Sequence, residues 1–118
     1  MKENVIVDKT FQFAVRIVKV CQKLSIEKKE FVLSKQLLRC GTSIGANVEE
    51  SEGGISKRDF IAKLQIAYKE TKETRYWLRL LYATDYLEEK DFKSLLSNIE
   101  EILKIIVAIL KSSKDEGE

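Results

Sequence analysis

Arg39, Ser43, Asn47 and Glu50 recur at three- and four-residue steps, so on a helix they share one face, and Glu70 and Glu73 follow at helical spacing farther along the chain. An arginine beside paired carboxylates is the raw material of a ligand cleft or an acid-base centre. The chain has no histidine, however, and no serine or cysteine nucleophile is spaced to work with those acids. The alternative is a polar seam that fixes helix register, with Arg39 paired to Glu73. No residue is assigned as catalytic. Glu49, Glu50 and Glu52 lack the spacing of a calcium loop, and a carboxylate dimetal site needs histidine, so neither a metal nor another cofactor is expected. Gly53-Gly54-Ile55-Ser56-Lys57-Arg58 offers amides and cations to a phosphate but lacks phosphate-loop spacing; a turn followed by a helix cap suits it better.

A second chemistry lies in the cations. Arg16, Lys19 and Lys23, and again Lys72, Arg75 and Arg79, follow i, i+3, i+7 spacing, so each set lines one helical stripe. Such stripes neutralise nucleic-acid phosphates, and the neighbouring Tyr76 and Trp77 are of the type that stacks on unpaired bases. The competing reading is a solvated face balanced by glutamates, with Trp77 in packing. Net charge is only +2, so the whole molecule is no general attractant for nucleic acid and any such role depends on local clustering.

These residues must be positioned by helices. The 118 residues fit one domain, 1–118, with no proline, five glycines, 34% charged and 44% apolar residues. Apolar periodicity predicts helices over about 9–24, 28–52, 57–84 and 89–112, with Asp8 before the first, Phe31 in the stripe of the second, Ser56 and Asp59 opening the third, and residues 112–118 fraying. Short connections then predict an all-α, antiparallel up-down-up-down four-helix bundle. Gly41 and Gly45 let another backbone approach, at about 1 kcal/mol each against alanine, and Gly53-Gly54 is expected to end helix two with positive φ. Phe11, Val15 and Val18 flank the first apolar stripe, and Ile105, Val107 and Ile109 the last. Together they predict one exposed patch and self-association. Cys21 and Cys40 read as reduced core residues. The longest apolar run, Ile105 to Leu110, is too short for a bilayer, and no signal peptide is visible, so a cytoplasmic protein without a membrane partner is expected.

Arg39-x-Gly41-x-Ser43-Ile44-x-Ala46-Asn47-Val48-x-Glu50, followed by Glu52-Gly53, stands with Phe60-x-x-x-Leu64-x-Ile66-Ala67 and Glu73-x-x-Tyr76-Trp77-Leu78. Over roughly Phe11 to Leu110 the chain resembles the four-helix-bundle proteins encoded in intervening sequences of bacterial 23S ribosomal RNA genes. The resemblance implies a homopentamer with no established enzymatic activity, in which Arg39, Gly41, Ser43, Gly45, Asn47, Glu52, Gly53 and Glu73 are fold determinants. Glu70 departs from the pattern, many relatives having serine there. The accessory variability determinant of diversity-generating retroelements is similar; it works with a reverse transcriptase and binds nucleic acid through a basic surface. An RNA, DNA or nucleoprotein partner is therefore the first expectation, and a ring would concentrate both basic stripes about its axis. A scaffold for a protein such as a polymerase is the second, and an enzyme at the Arg39, Asn47, Glu73 seam the third.

Overall fold

The computed structural model describes residues 2–117, with side chains from 5 to 114. It holds four helices, α1 (Lys2–Lys28), α2 (Leu33–Glu52), α3 (Lys57–Ala83) and α4 (Glu89–Gly117), and no strand among the described residues. Each helix packs on two neighbours: α1 on α2 and α4, α3 on α2 and α4. The backbones of the diagonal pairs do not approach within 8 Å among the described residues, which leaves a four-helix bundle 49 Å long whose side chains share one core. Phe13, Ile17, Leu37, Ile44, Leu64, Leu78, Leu95, Ile99 and Ile106 fill it, at steps of four, seven and fourteen residues that keep each set on one face of its helix.

Four boundaries differ from the sequence expectation: α1 runs on to Lys28 instead of ending at about 24, α2 starts late, and at the start of α1 and the end of α4 polar residues take buried places. α1 begins seven residues before position 9, so Asp8 lies inside the helix rather than capping it. Ile6 is in the core, and the buried Thr10 interrupts the apolar stripe between Ile6 and Phe13; its hydroxyl donates to the Ile6 carbonyl at 2.8 Å. At the other end, α4 continues to Gly117, five residues past the expected end at 112, with Ser113 prolonging the inward stripe of Ile102, Ile106 and Ile109.

The second helix starts at Leu33, not at 28, and the cause is Glu30. Lys29 turns the chain with φ 56°, after which the Glu30 carboxylate accepts from the amides of Val32, Leu33 and Ser34 at 3.2, 3.1 and 2.7 Å. Ser34 returns a hydroxyl bond to the Glu30 carbonyl at 2.8 Å. One buried side chain thereby satisfies three of the amides a helix start leaves open. Phe31, expected in the inward stripe, is carried to the surface by this turn.

Gly41 and Gly45 bring α1 against α2. A Cβ on Gly41 would stand 2.9 Å from Ile17 Cγ2, and one on Gly45 would stand 3.2 Å from the Thr10 carbonyl oxygen. Gly53 closes α2 with φ −91°, not the positive φ expected, and no described glycine has positive φ. Gly54 is required for space instead, since its Cβ would meet the Ser51 carbonyl at 3.1 Å and the Phe60 amide at 3.3 Å. Ser56 then caps α3 as expected, accepting from the Asp59 amide at 3.1 Å. The third turn uses Asp85 at φ 68°: Tyr86 N–H reaches the Leu81 carbonyl at 2.9 Å and Asp85 N–H the Tyr82 carbonyl at 3.1 Å, a Schellman closure made without glycine.

Candidate nucleic-acid interface

Arg39 lies half-exposed on the outside of the α2–α3 seam, where its guanidinium donates to Glu73, to Glu70 at 3.3 Å and to Gln36. Burial works against its charge, but the carboxylates of Glu73 and Glu70 outweigh that and raise its pKa. Glu73 also accepts the Trp77 indole N–H at 3.0 Å, and Trp77 meets Tyr76 edge to face at 5.1 Å. Farther along the same seam Lys63 pairs with Glu50 at 2.8 Å. Asn47 turns back along its own helix, donating to the carbonyl and hydroxyl oxygens of Ser43 at 2.9 and 3.0 Å. Glu52 is exposed at the end of α2 with no cation in ion-pair range among the described residues. Arg39, Glu70, Glu73, Glu50 and Asn47 are therefore each engaged by a neighbour, while Glu52 is not. The thiols offer no nucleophile either: burial pushes Cys21 up to about 12 and Cys40 up to about 11, so both stay protonated at neutral pH.

The basic stripes separate into anchors and free cations. Arg16 is partly buried and crosses to α4, donating to Asn98 and, at 3.0 Å, to the Ser94 hydroxyl. Arg75 crosses to α4 from the other side and pairs with Glu100 at 3.2 Å. The two stripes consequently border the outward face of α4, one on each flank. Lys19, Lys23, Lys72 and Arg79 are exposed and have no carboxylate within 4.0 Å among the described residues. Lys72 rests 5.8 Å from the centre of the Tyr68 ring. Of the two aromatics considered for stacking, Tyr76 is exposed and Trp77 is partly buried and committed to Glu73.

Of the six residues expected to form an apolar patch on α1 and α4, Phe11, Val18 and Val107 are exposed. Val18 lines a groove with Phe31 and Leu38 between α1 and α2, whereas Val107 lines one between α3 and α4; Ile109 is buried. That second groove is not legible in the sequence as a unit, because half of it comes from Val107, Leu110, Lys111 and Lys114 on the last turns of α4 and half from the first turns of α3. The i, i+3, i+4, i+7 spacing of those four α4 residues is its one sequence signal.

The chain is similar to known proteins over most of its length. The family described as 23S rRNA-intervening sequence protein matches residues 2–108. A crystal structure of a protein of unknown function from the S23 ribosomal protein family of Bacteroides thetaiotaomicron VPI-5482 is similar, with a TM-score of 0.93 and 51% sequence identity. The match covers 94% of this chain and 99% of that one. No curated protein matches.

Proposed function

The chain belongs to the 23S rRNA-intervening sequence protein family, and from that premise we propose that it is a non-enzymatic, up-down-up-down bundle that assembles as a homopentamer and binds RNA through the cations flanking α4. The observation that carries the reading is the division within the two stripes. Arg16 and Arg75 are tied to α4 from opposite sides, while Lys19, Lys23, Lys72 and Arg79 stand exposed beside it with no carboxylate to neutralise them among the described residues. Unpaired cations along one face release counterions when they meet phosphates, and repetition in a ring multiplies the effect. Reversed pairing of neighbours supports the topology: Arg16 meets Ser94 while Lys9 meets Glu101, and Arg39 meets Glu73 while Glu50 meets Lys63. Exposed Phe11, Val18 and Leu38 supply apolar surface for self-association.

The test is anisotropy of a labelled single-stranded RNA over a salt series, with native mass measured in the same buffers. Affinity is expected to fall steeply with salt, and replacing Lys19, Lys23, Lys72 and Arg79 by glutamine is expected to flatten the slope by about 0.7 for each phosphate that is no longer neutralised. Arg16→Gln should act on stability more than on the slope. Absence of binding at low salt, or a quadruple variant that binds with the parent slope, would overturn the assignment.

A further inference from the structure

The groove between the start of α3 and the end of α4 has a volume of about 940 Å³ and lies apart from the polar seam; of the stripe cations, Lys72 approaches it, resting on the ring of Tyr68. Its floor is apolar: Ile61, Ala62, Tyr68, Val107 and Leu110. Its rim is cationic, with Lys57 and Arg58 on α3 and Lys111 and Lys114 on α4, and no carboxylate lines it among the described residues. All four cations are exposed, and none is within 4.0 Å of a carboxylate among the described residues. In a chain with 21 cations and 19 anions, four cations around one apolar trough with no carboxylate among its described lining residues is a local segregation.

We infer that this groove docks an acidic amphipathic helix of a protein partner, its apolar stripe seated on Ile61, Val107 and Leu110 and its carboxylates meeting the four rim cations. A trough between two packed helices is the shape that receives a third, and the partner then presents anchors at i, i+3, i+4 and i+7. Lys57 to Tyr68 spans about 17 Å of helix at 1.5 Å per residue, so the occupant has about three turns. Charge complementarity sets its sign and its approach.

Two other occupants fit less well. Unpaired nucleic acid needs open aromatic faces, whereas the floor is mainly aliphatic and its one aromatic ring, Tyr68, already carries Lys72. A second copy presenting its other apolar groove would bring Val18, Phe31 and Leu38 with Lys35 and no carboxylate, leaving the rim uncompensated.

The probe is a three-turn synthetic peptide with leucine at i, i+3, i+4 and i+7 and glutamate on the flanks, titrated into the full chain and followed by backbone amide shifts. Shifts are expected at Ile61, Tyr68 and Val107, with affinity at least tenfold weaker for a lysine-flanked peptide of the same apolar stripe. Val107→Glu and Arg58→Glu, both at exposed positions, should each weaken the glutamate peptide at least tenfold while helical content by circular dichroism holds. Equal binding of the two peptides, or shifts confined to another face, would overturn the inference. So would single-stranded RNA displacing the peptide from this groove in the Lys19, Lys23, Lys72 and Arg79 quadruple variant, or a native mass that falls in Val107→Glu because a second copy fills the groove. The quadruple variant keeps the groove cations, so loss of RNA binding and loss of peptide binding are distinguishable.

Discussion

Glu30 concentrates in one side chain what a helix start ordinarily takes from several groups, and the cost of burying its charge is met by three amides directed at it. Burial alone raises its pKa, but the bonds from Ser34, Leu33 and Val32 outweigh that and hold it below the ordinary 4.5. A carboxyl depressed in the fold contributes stability that is complete above its unfolded pKa and disappears as pH falls through the folded value. Glu30→Gln is therefore expected to cost about 1 kcal/mol at pH 7, and the gap from the parent should close on acidification below 4.5; urea unfolding at both pH values checks it. Ser56 is readable from sequence because its partner Asp59 lies three residues ahead in an ordinary cap spacing. Glu30 is not, because it acts only after Lys29 has entered the left-handed region, a step that lysine identity does not signal. The same holds for Asp85, while the Gly53-Gly54 pair advertises a positive φ that the chain does not adopt.

Among the helices, α1 and α2 meet closely because two positions carry no Cβ. Ile17 is fully buried and lies against Gly41, so any added atom there must move a core side chain or separate the helices. Gly41→Val is expected to lower stability by about 1–3 kcal/mol despite leaving glycine behind. In a double-mutant cycle followed by thermal denaturation, Ile17→Ala should cost less in the Gly41→Val background than alone; additive costs would show that the two do not press on each other. The glycine spacing is legible in the sequence, but which helix it faces is not: Gly45 meets the backbone of Thr10, a residue whose buried hydroxyl hides the early part of α1 from an apolar-periodicity reading. Arg39 and Glu73 are legible as candidates for the same reason, since hairpin register brings them level, whereas Asn47 turns to Ser43 because an i−4 carbonyl is the nearer partner.

For the molecule as a whole, the balance of 21 cations against 19 anions conceals an uneven surface. Glutamates neutralise Arg39, Lys63 and Arg75 on and beside the α2–α3 seam, whereas Lys19, Lys23, Lys72 and Arg79 beside α4 and the four cations on the rim of the α3–α4 groove have no carboxylate within 4.0 Å among the described residues. The α1–α4 contact is the loosest of the four, held near Arg16 by polar bonds to Ser94 and Asn98 instead of close helix packing. An edge of that kind is where a bundle opens first without unfolding as a whole. In native-state hydrogen exchange, the amides of α1 and α4 along this edge are expected to exchange through local openings, while the α2–α3 amides follow the global transition. If RNA spans the face that Lys19 and Arg79 border, it should slow exchange at that edge, and the loosest seam of the free protein would become its most sensitive reporter of occupancy.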